Sequence, residues 1–510
     1  MSDFPTASIP SSWIWSRIQD VATTATGGTP SRSISEYFGG SIPWVKSGEL
    51  GDGHVFETEE TLSELGLKFS NAKLFPKGTL CIALYGATVG KLGILEVDAA
   101  TNQAVCGVFL PDEVHRDFAF YYLASIRRHL IEQGKGGAQS NISNGLVRQT
   151  RIPIAPLNEQ ARIVAKIEEL FSDLDAGVAA LKRAKANLKR YRASVLKSAV
   201  EGKLTEQWRA KHPAKEPASA LLARILLERR QKWEADQLAK FAAAKKEPPK
   251  NWRDKYVEPT TPDTTDLSEL PEGWCWATTG FLCDCIVPNR DKPKSFSGDI
   301  PWVTLPDLDG RIQVVASSDG IGLTEAEATR YKAKVIPAGS VIMSCIGRFG
   351  LSVVLGRDAV INQQLHAFLV PALLSARYIA YSIRTQERLM IRLSTATTIA
   401  YLNQHKCNAI PIPLAPLAEQ EQIVNEVEFR LSQIDAAEKQ IEHGLLRAAR
   451  LRQSILKRAF EGKLVPQDPK DEPASALLER LRASRAIHER SGNRPSSAIP
   501  HRSKSRGKKS

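Results

Sequence analysis

Three short stretches carry residue types that could do chemistry. Gly86-Ala87-Thr88-Val89-Gly90-Lys91 has the glycines and lysine of a phosphate loop, whose backbone N–H groups cradle phosphates while the lysine reaches the outer ones. It holds three rather than four residues between its glycines, and Leu92 stands where serine or threonine would bind magnesium. Pro306-Asp307 followed by Asp309 suggests the acid pair of a nuclease, but no catalytic lysine follows in place. Cys283-Asp284-Cys285 is the one cluster among seven cysteines (Cys81, Cys106, Cys275, Cys283, Cys285, Cys345, Cys407), an odd number without C-x-x-C spacing. All seven read as reduced thiols, and no metal site is expected.

The elements that would position these residues are written twice. Pro10, Trp13 and Trp15 return as Pro271, Trp274 and Trp276, and Ile42-Pro43-Trp44-Val45 returns as Ile300-Pro301-Trp302-Val303, at offsets of 258 to 261 residues. Pro76, Gly78 and Gly86 match Pro337, Gly339 and Gly347, and Asn102-Gln103 matches Asn362-Gln363. Ala155-Pro156-Leu157 with Glu159-Gln160 and Ile163-Val164 returns as Ala415-Pro416-Leu417 with Glu419-Gln420 and Ile423-Val424. Leu196 to Leu204 (LKSAVEGKL) returns at Leu456 to Leu464 (LKRAFEGKL), and EPASALL at Glu216 returns at Glu472. Such repeats mark a tandem duplication of whole domains.

The duplication tests the three stretches. At the place of the first, Gly347-Arg348-Phe349-Gly350-Leu351 has lost the lysine, so a tight turn presenting Lys91 and Arg348 fits better than a nucleotide site. At the place of the acid pair the first copy has Gly48-Glu49-Leu50, and the nuclease reading is set aside.

Within each copy, Gly- and Pro-punctuated short apolar runs give way to an uninterrupted charged and apolar segment, a mixed globular domain followed by a helix. RIPIAPL and IPIPLAPL are read as extended lead-ins, with Asn158 able to cap the first helix. Ile167, Leu174, Leu181, Leu188 and Val195 then recur every seven residues, as do Val427, Ile434, Ile441, Ala448 and Ile455 at the same phase, the seam of a coiled coil. Gly177 is a weak seam position, and a helix buried inside a larger domain is the competing reading. A helix from Asn158 to Val200 would run roughly 65 Å at ~1.5 Å per residue.

The expected architecture is therefore α+β, with two tandem mixed α/β domains separated by two long antiparallel helices forming a coiled coil about a pseudo-twofold axis. Its parts are residues 1–150 (first globular domain), 151–204 (first helix), 205–267 (charged linker with a helical segment), 268–408 (second globular domain), 409–465 (second helix) and 466–510 (helical remnant and basic tail). The last twenty residues hold six lysines and arginines and no acid, and are expected to be disordered.

Composition bounds the function. Over 510 residues, 42% hydrophobic and 25% charged content is ordinary for a globular chain of more than one domain. A net charge of +13 favours a polyanionic partner such as nucleic acid, with a solubilising basic surface as the bland alternative. No apolar run approaches the ~18 to 20 residues of a membrane helix, and MSDFPTASIPSSW lacks the pattern of a signal peptide. A cytoplasmic protein with no membrane partner is expected.

Gly27-Gly28-Thr29-Pro30, Ile42-Pro43-Trp44, Pro156-Leu157-x-Glu159-Gln160 and Glu201-Gly202-Lys203-Leu204, with their second-copy counterparts, closely resemble the specificity subunit of type I restriction-modification enzymes, over nearly the whole chain. The resemblance implies two target recognition domains, each reading one half of a bipartite double-stranded DNA site. It implies helices that set the gap and dock two modification (methyltransferase) subunits, joined by restriction (translocase and nuclease) subunits. It implies a non-catalytic chain with no cofactor of its own, S-adenosylmethionine, ATP and magnesium being held by the partners. Consistent with that, the sequence has no Asn/Asp-Pro-Pro-Tyr/Phe motif for adenine methylation. The alternatives are a coiled-coil scaffold binding protein partners and an orphan specificity subunit.

Major-groove reading needs arginine or lysine against guanine and asparagine or glutamine against adenine, whereas phosphates need only donors and positive charge. The candidates are Lys46, Lys91, Gln139, Asn141 and Arg148 in the first domain, and the basic loop Arg290, Lys292 and Lys294 with Arg311 and Arg348 behind it in the second. For each, a solvated surface role competes. Where the first copy has GGTPS the second has PNRDKPKS, so the two domains should read different half-sites.

Overall fold

The computed structural model describes residues 8–134, 141–259, 261–265, 267–288, 292–394 and 400–490, with side chains through 485. It divides into two units, one formed by Met1–Leu181 with His443–Ser510 and the other by Lys182–Glu442. The division falls inside both long helices.

Each unit repeats one plan. In unit 1 a five-stranded sheet runs in the order Thr23–Thr26, Val105–Phe109, Leu80–Ala83, Leu92–Leu95, Gly53–Val55, and a four-stranded sheet in the order Glu60–Leu62, Phe38–Val45, Ala99–Thr101, Leu74–Phe75. Unit 2 gives Asp284–Ile286, Leu365–Leu369, Val341–Ser344, Ser352–Leu355, Gln313–Val314 and then Gly322–Leu323, Ile300–Val303, Ala359–Ile361, Val335–Ile336. The IPWV phrase ends on buried Trp44 and Val45 and lies parallel to Ala99–Thr101. The Asn102 N–H then donates to the Val45 carbonyl (2.9 Å), and Asn362 does the same to Val303 (3.0 Å). Two phrases repeated separately in the sequence are thus hydrogen-bonded partners.

The extended lead-ins are strands. Arg151–Ile154 pairs antiparallel with Ile14–Arg17, and Pro411–Leu414 with Cys275–Thr278. These two-stranded ribbons tolerate their prolines because each strand has an unpaired edge.

The long helices run Leu157–Val200 and Leu417–Phe460, 44 residues each. The first begins before Asn158, because the Pro156 carbonyl already accepts from the Gln160 N–H (2.9 Å). Asn158 therefore lies inside the first turn and cannot cap; it sits beside Asp471 instead and helps Arg162 hold that carboxyl low.

The seam positions divide by location. Ile167 and Ile455 join the core of unit 1, and Val195, Val427 and Ile434 that of unit 2. Leu174, Leu181 and Leu188 are half-buried, while Ile441 and Ala448 are buried. Within unit 1 the two helices approach side to side at Leu181 and Gly444, where a Cβ would lie 3.0 Å from a Leu181 methyl, and Arg452 pairs with Asp175. Within unit 2, Lys185 meets Glu442 at 2.8 Å and Arg192 meets Asp435 and Glu438, an antiparallel register. A Cβ at Gly177 would meet nothing, in keeping with its weak seam position.

The stretch read as a linker is in part core. Ala218–Ala243 is a helix whose Ala218, Leu221 and Ile225 are buried among the unit 2 apolar residues. Its counterpart, the remnant after Glu472, is the helix Ala474–Arg490, and Ala474, Leu477, Leu478 and Leu481 fill the same place in unit 1. The basic tail lies outside the described residues.

A buried acid joins helix to domain in each unit. Glu159 accepts from the Trp13 indole (3.0 Å) and from Gln467, and Glu419 accepts from the Trp274 indole (2.8 Å), Thr205 (2.7 Å) and Arg209 (2.6 Å). The neighbouring Gln160 and Gln420 each donate to the carbonyl of the alanine before the proline (2.8 Å), and accept from the His115 and Ser375 N–H groups. Burial pushes the Glu159 carboxyl above its ordinary range, and among the described residues its bonded partners, Trp13 and Gln467, are neutral. The glycine of each EGKL turn, Gly202 or Gly462, has φ of +69° or +66°, and a Cβ there would strike Pro271 or Pro10 at 2.5 or 2.2 Å. The repeated Pro, Trp, Glu and Gly are parts of one joint.

Two outcomes are expected. Glu419→Ala strands the mostly buried Arg209 cation and should destabilise unit 2 by roughly 3 kcal/mol in denaturant unfolding. Glu159→Ala, facing only neutral donors, should cost less, and equal losses would contradict this account. Buried His366 has no hydrogen-bond partner on either ring nitrogen among the described residues, and burial pushes its pKa down to about 4. Protons then favour the unfolded chain, so stability should fall as pH drops from about 6.5 towards about 4, by on the order of 3 kcal/mol at most. His366→Leu should flatten that slope in thermal melts.

Candidate nucleic-acid interface

The near-phosphate loop is a tight turn in both units. Gly86 and Gly90 take φ of +85° and +78°, and Gly347 and Gly350 take +71° and +77°, values open to glycine at little steric cost. An antiparallel bridge joins Tyr85 to Asn141, and Ile346 to Tyr401. The Ile142 N–H donates to Leu84 (2.7 Å) and the Leu402 N–H to Cys345 (2.9 Å). Each glycine turn is thereby sewn to the polar segment near the end of its domain.

This brings Lys91 and Asn141 to the same turn: the Ala83 N–H donates to the Lys91 carbonyl (2.8 Å), and Asn141 bridges Tyr85 at the turn's other side. Lys91 is half-buried, with no ion pair among the described residues, and Asn141 is exposed while its backbone is held by Gly134. Gln139 lies outside the described residues. Arg148 is exposed on the short helix Asn144–Gln149, capped by Ser143. Asn144 bonds Thr24 (2.8 Å), which ties that helix to the sheet.

Lys46 has a different setting. Its ammonium bonds Glu59 (2.7 Å) and Glu60 (3.1 Å), which hold it above its usual pKa. Glu60 is shared with Arg32, and that pairing, followed by Lys46, keeps its carboxyl low. Arg32 was passed over in the sequence, yet its guanidinium lies 4.6 Å from the Phe38 ring centre and 5.1 Å from that of Trp44. The signal was there, since Arg32, Phe38 and Trp44 match Arg290, Phe296 and Trp302 at a constant offset.

In unit 2, Arg290 lies outside the described residues. Lys292 and Lys294 are exposed, and the Lys292 ammonium sits 5.8 Å from the Phe296 ring centre. Arg311 is exposed and reaches Ser318 (3.3 Å). Arg348 is held by Asp309 through two bonds, of 3.0 and 3.1 Å. The structure thus joins the turn of Arg348 to the loop of Arg311 through Asp309, and sets Lys292 and Lys294 on another loop. Asp307 is a capping residue, accepting from Thr304 and Ser318. Among the described residues no group of His, Cys, Asp or Glu is arranged to hold a metal, and no helix is long and apolar enough to cross a membrane.

Comparison with known proteins adds to this geometry. A family model described as the type I restriction modification DNA specificity domain matches residues 10–184 and 285–448. The type I restriction enzyme EcoKI specificity subunit of Escherichia coli K12 is 24% identical over 494 residues, covering 94% of this chain and 96% of its own. The EcoDI specificity subunit of Escherichia coli is 25% identical over 398 residues, 74% of this chain and 79% of its own. Among solved structures, a chain from work on complex assembly and conformational transition of the type I R-M system superposes with a TM-score of 0.63 at 19% identity, over 89% of this chain and 99% of that one. The HsdS subunit from Thermoanaerobacter tengcongensis gives 0.52 at 19% identity, over 91% and 100%. At these identities the solved structures speak for the fold alone.

A difference between two lysines checks the electrostatic reading. Lys91→Ala should lower the slope of log affinity against log salt by about 0.9 for duplex DNA, whereas Lys46→Ala, with its charge already matched, should leave it near the wild-type value. Equal slopes in salt-dependent titrations would show that the Glu59 and Glu60 pairing does not govern phosphate contact.

Proposed function

The chain belongs to the type I restriction modification DNA specificity family, and from that membership we propose that it reads a bipartite DNA site and directs partner subunits to it without catalysing a reaction itself. The observation that carries this reading is the duplicated unit, two like domains each locked to one end of each of two long helices. The glycine turns with Lys91 and Asn141 in one domain, and with Arg348 and Arg311 in the other, are the surfaces assigned to base and phosphate contact. Lys292, Lys294 and Arg148 supply further positive charge.

Two modification subunits dock along the helices and transfer methyl groups from S-adenosylmethionine to adenine, one on each strand. Reaching the exocyclic amine requires flipping the base, which is the partner's work. Restriction subunits contribute ATP- and magnesium-dependent translocation and cleavage, and the complex acts in the cytoplasm. The helices serve as a ruler between half-sites, which like domains can address on successive turns of DNA, ~34 Å apart.

The test is to co-express the chain with its modification subunit and map adenine methylation in host DNA by single-molecule sequencing. A split motif methylated on both strands and dependent on this chain is expected, and inserting four residues into one helix should change the gap it tolerates. A stable complex that writes no motif would refute the reading, and an unchanged gap would refute the ruler.

A further inference from the structure

Arg348 and Asp309 form an ion pair that belongs to one repeat and not to the scaffold. With Gly347 aligned on Gly86, Arg348 falls on Ala87; with Leu308 aligned on Leu50, Asp309 falls on Gly51. That second alignment is supported by the backbone, since the next residues, Gly310 and Asp52, both have left-handed φ of +67° and +64°. Both members of the pair are therefore missing together from the first copy, whose fold is the same. In unit 1 the neighbouring acid, Asp52, instead ties its loop to Arg127 at the start of a helix and accepts from the Leu92 N–H (3.1 Å). Those side chains are 29% and 33% exposed, against 59% for both Arg348 and Asp309.

An exposed ion pair of this kind contributes little to stability. It does fix orientation. Asp309 takes one N–H from each terminal nitrogen of Arg348, leaving Nε–H and an adjacent outer N–H without partners among the described residues. Guanidinium has five N–H donors, and its free side edge matches the O6 and N7 acceptors of guanine in the major groove.

Both residues stand on held backbone. Buried Phe349 anchors the turn beside Arg348, and the Gly347 N–H donates to Ala400 (3.1 Å). Half-buried Arg384 bonds the Ser352 carbonyl and the backbone carbonyl of Arg311, two residues beyond Asp309. Neither loop need rearrange to present the fork, which is what a selective contact requires.

The geometry points to Arg348, buttressed by Asp309, as a specificity-determining residue that reads one guanine in the half-site addressed by unit 2. This rests on the proposed function and adds the base and the residue that recognises it.

The test repeats the methylation map with complexes carrying Arg348→Ala, Arg348→Lys or Asp309→Asn. A good bidentate contact is worth ~1 to 3 kcal/mol, or about 5- to 150-fold between bases. Arg348→Ala should therefore raise methylation at sites lacking the guanine by at least about fivefold relative to the cognate site. Asp309→Asn should relax the same position more weakly, and the other half-site, unchanged, reports that each complex is folded. A wild-type motif kept intact by all three variants overturns the assignment alone. So does full discrimination restored by Arg348→Lys, which supplies charge without the planar fork. A wild-type complex that writes no split motif overturns the functional reading and the assignment with it.

Discussion

A buried carboxylate bonded to an indole is the contact on which each unit depends. Glu159 and Glu419 lie in the first turns of the long helices and are almost wholly removed from water, where an unpaired acid would be costly. Trp13 and Trp274 satisfy one oxygen, and the chain just after the opposite long helix satisfies the other, through Gln467 in unit 1 and through Thr205 and Arg209 in unit 2. Because the acid must be matched on both sides, the start of one helix, the end of the other and the first strand of the domain are fixed to one another. Glycine at 202 and 462 lets the returning chain come within reach.

Much of this was legible in the sequence, and the reasons are specific. The proline lead-in before Asn158 and the heptad from Ile167 to Val195 together located the first helix, which runs Leu157–Val200, since a break bounds it and a long period sums many weak signals. Phrase pairs such as IPWV with Asn102 were visible as repeats, but that they bond each other was not, because the partners lie far apart in the chain. The helical segment expected within 205–267 is present, but its packing on unit 2 was not legible, because only Ala218, Leu221 and Ile225 in its first two turns are buried and its apolar periodicity is brief. Asn158 has a capping side chain at the right place, but the proline carbonyl starts the helix first.

The recognition surface was the least legible part. A net charge of +13 names a polyanion as partner without saying which cations are free to meet it. Lys46 is neutralised by acids 13 and 14 residues away, whereas Arg348 is oriented by one 39 residues away that leaves its side edge open, all in loops whose approach only the folded chain reveals. The two domains also differ most where the scaffold is least involved. Ala87 and Arg348 occupy equivalent turns with the same glycine conformations, so the side chain there can change while the backbone stays. At a position of that kind the surface can change without any cost to the fold.

Unit 1 is discontinuous, whereas unit 2 is a single stretch of chain. During synthesis the residues of unit 2 emerge as a complete set, but the first domain leaves the ribosome without Phe460, Leu477 or Leu481, which fill its core. At ~5 to 20 residues per second, that domain waits roughly ten seconds to a minute with apolar surface uncovered. The earlier-made half of the protein is thus the later to close, and it is the half a chaperone would most often meet.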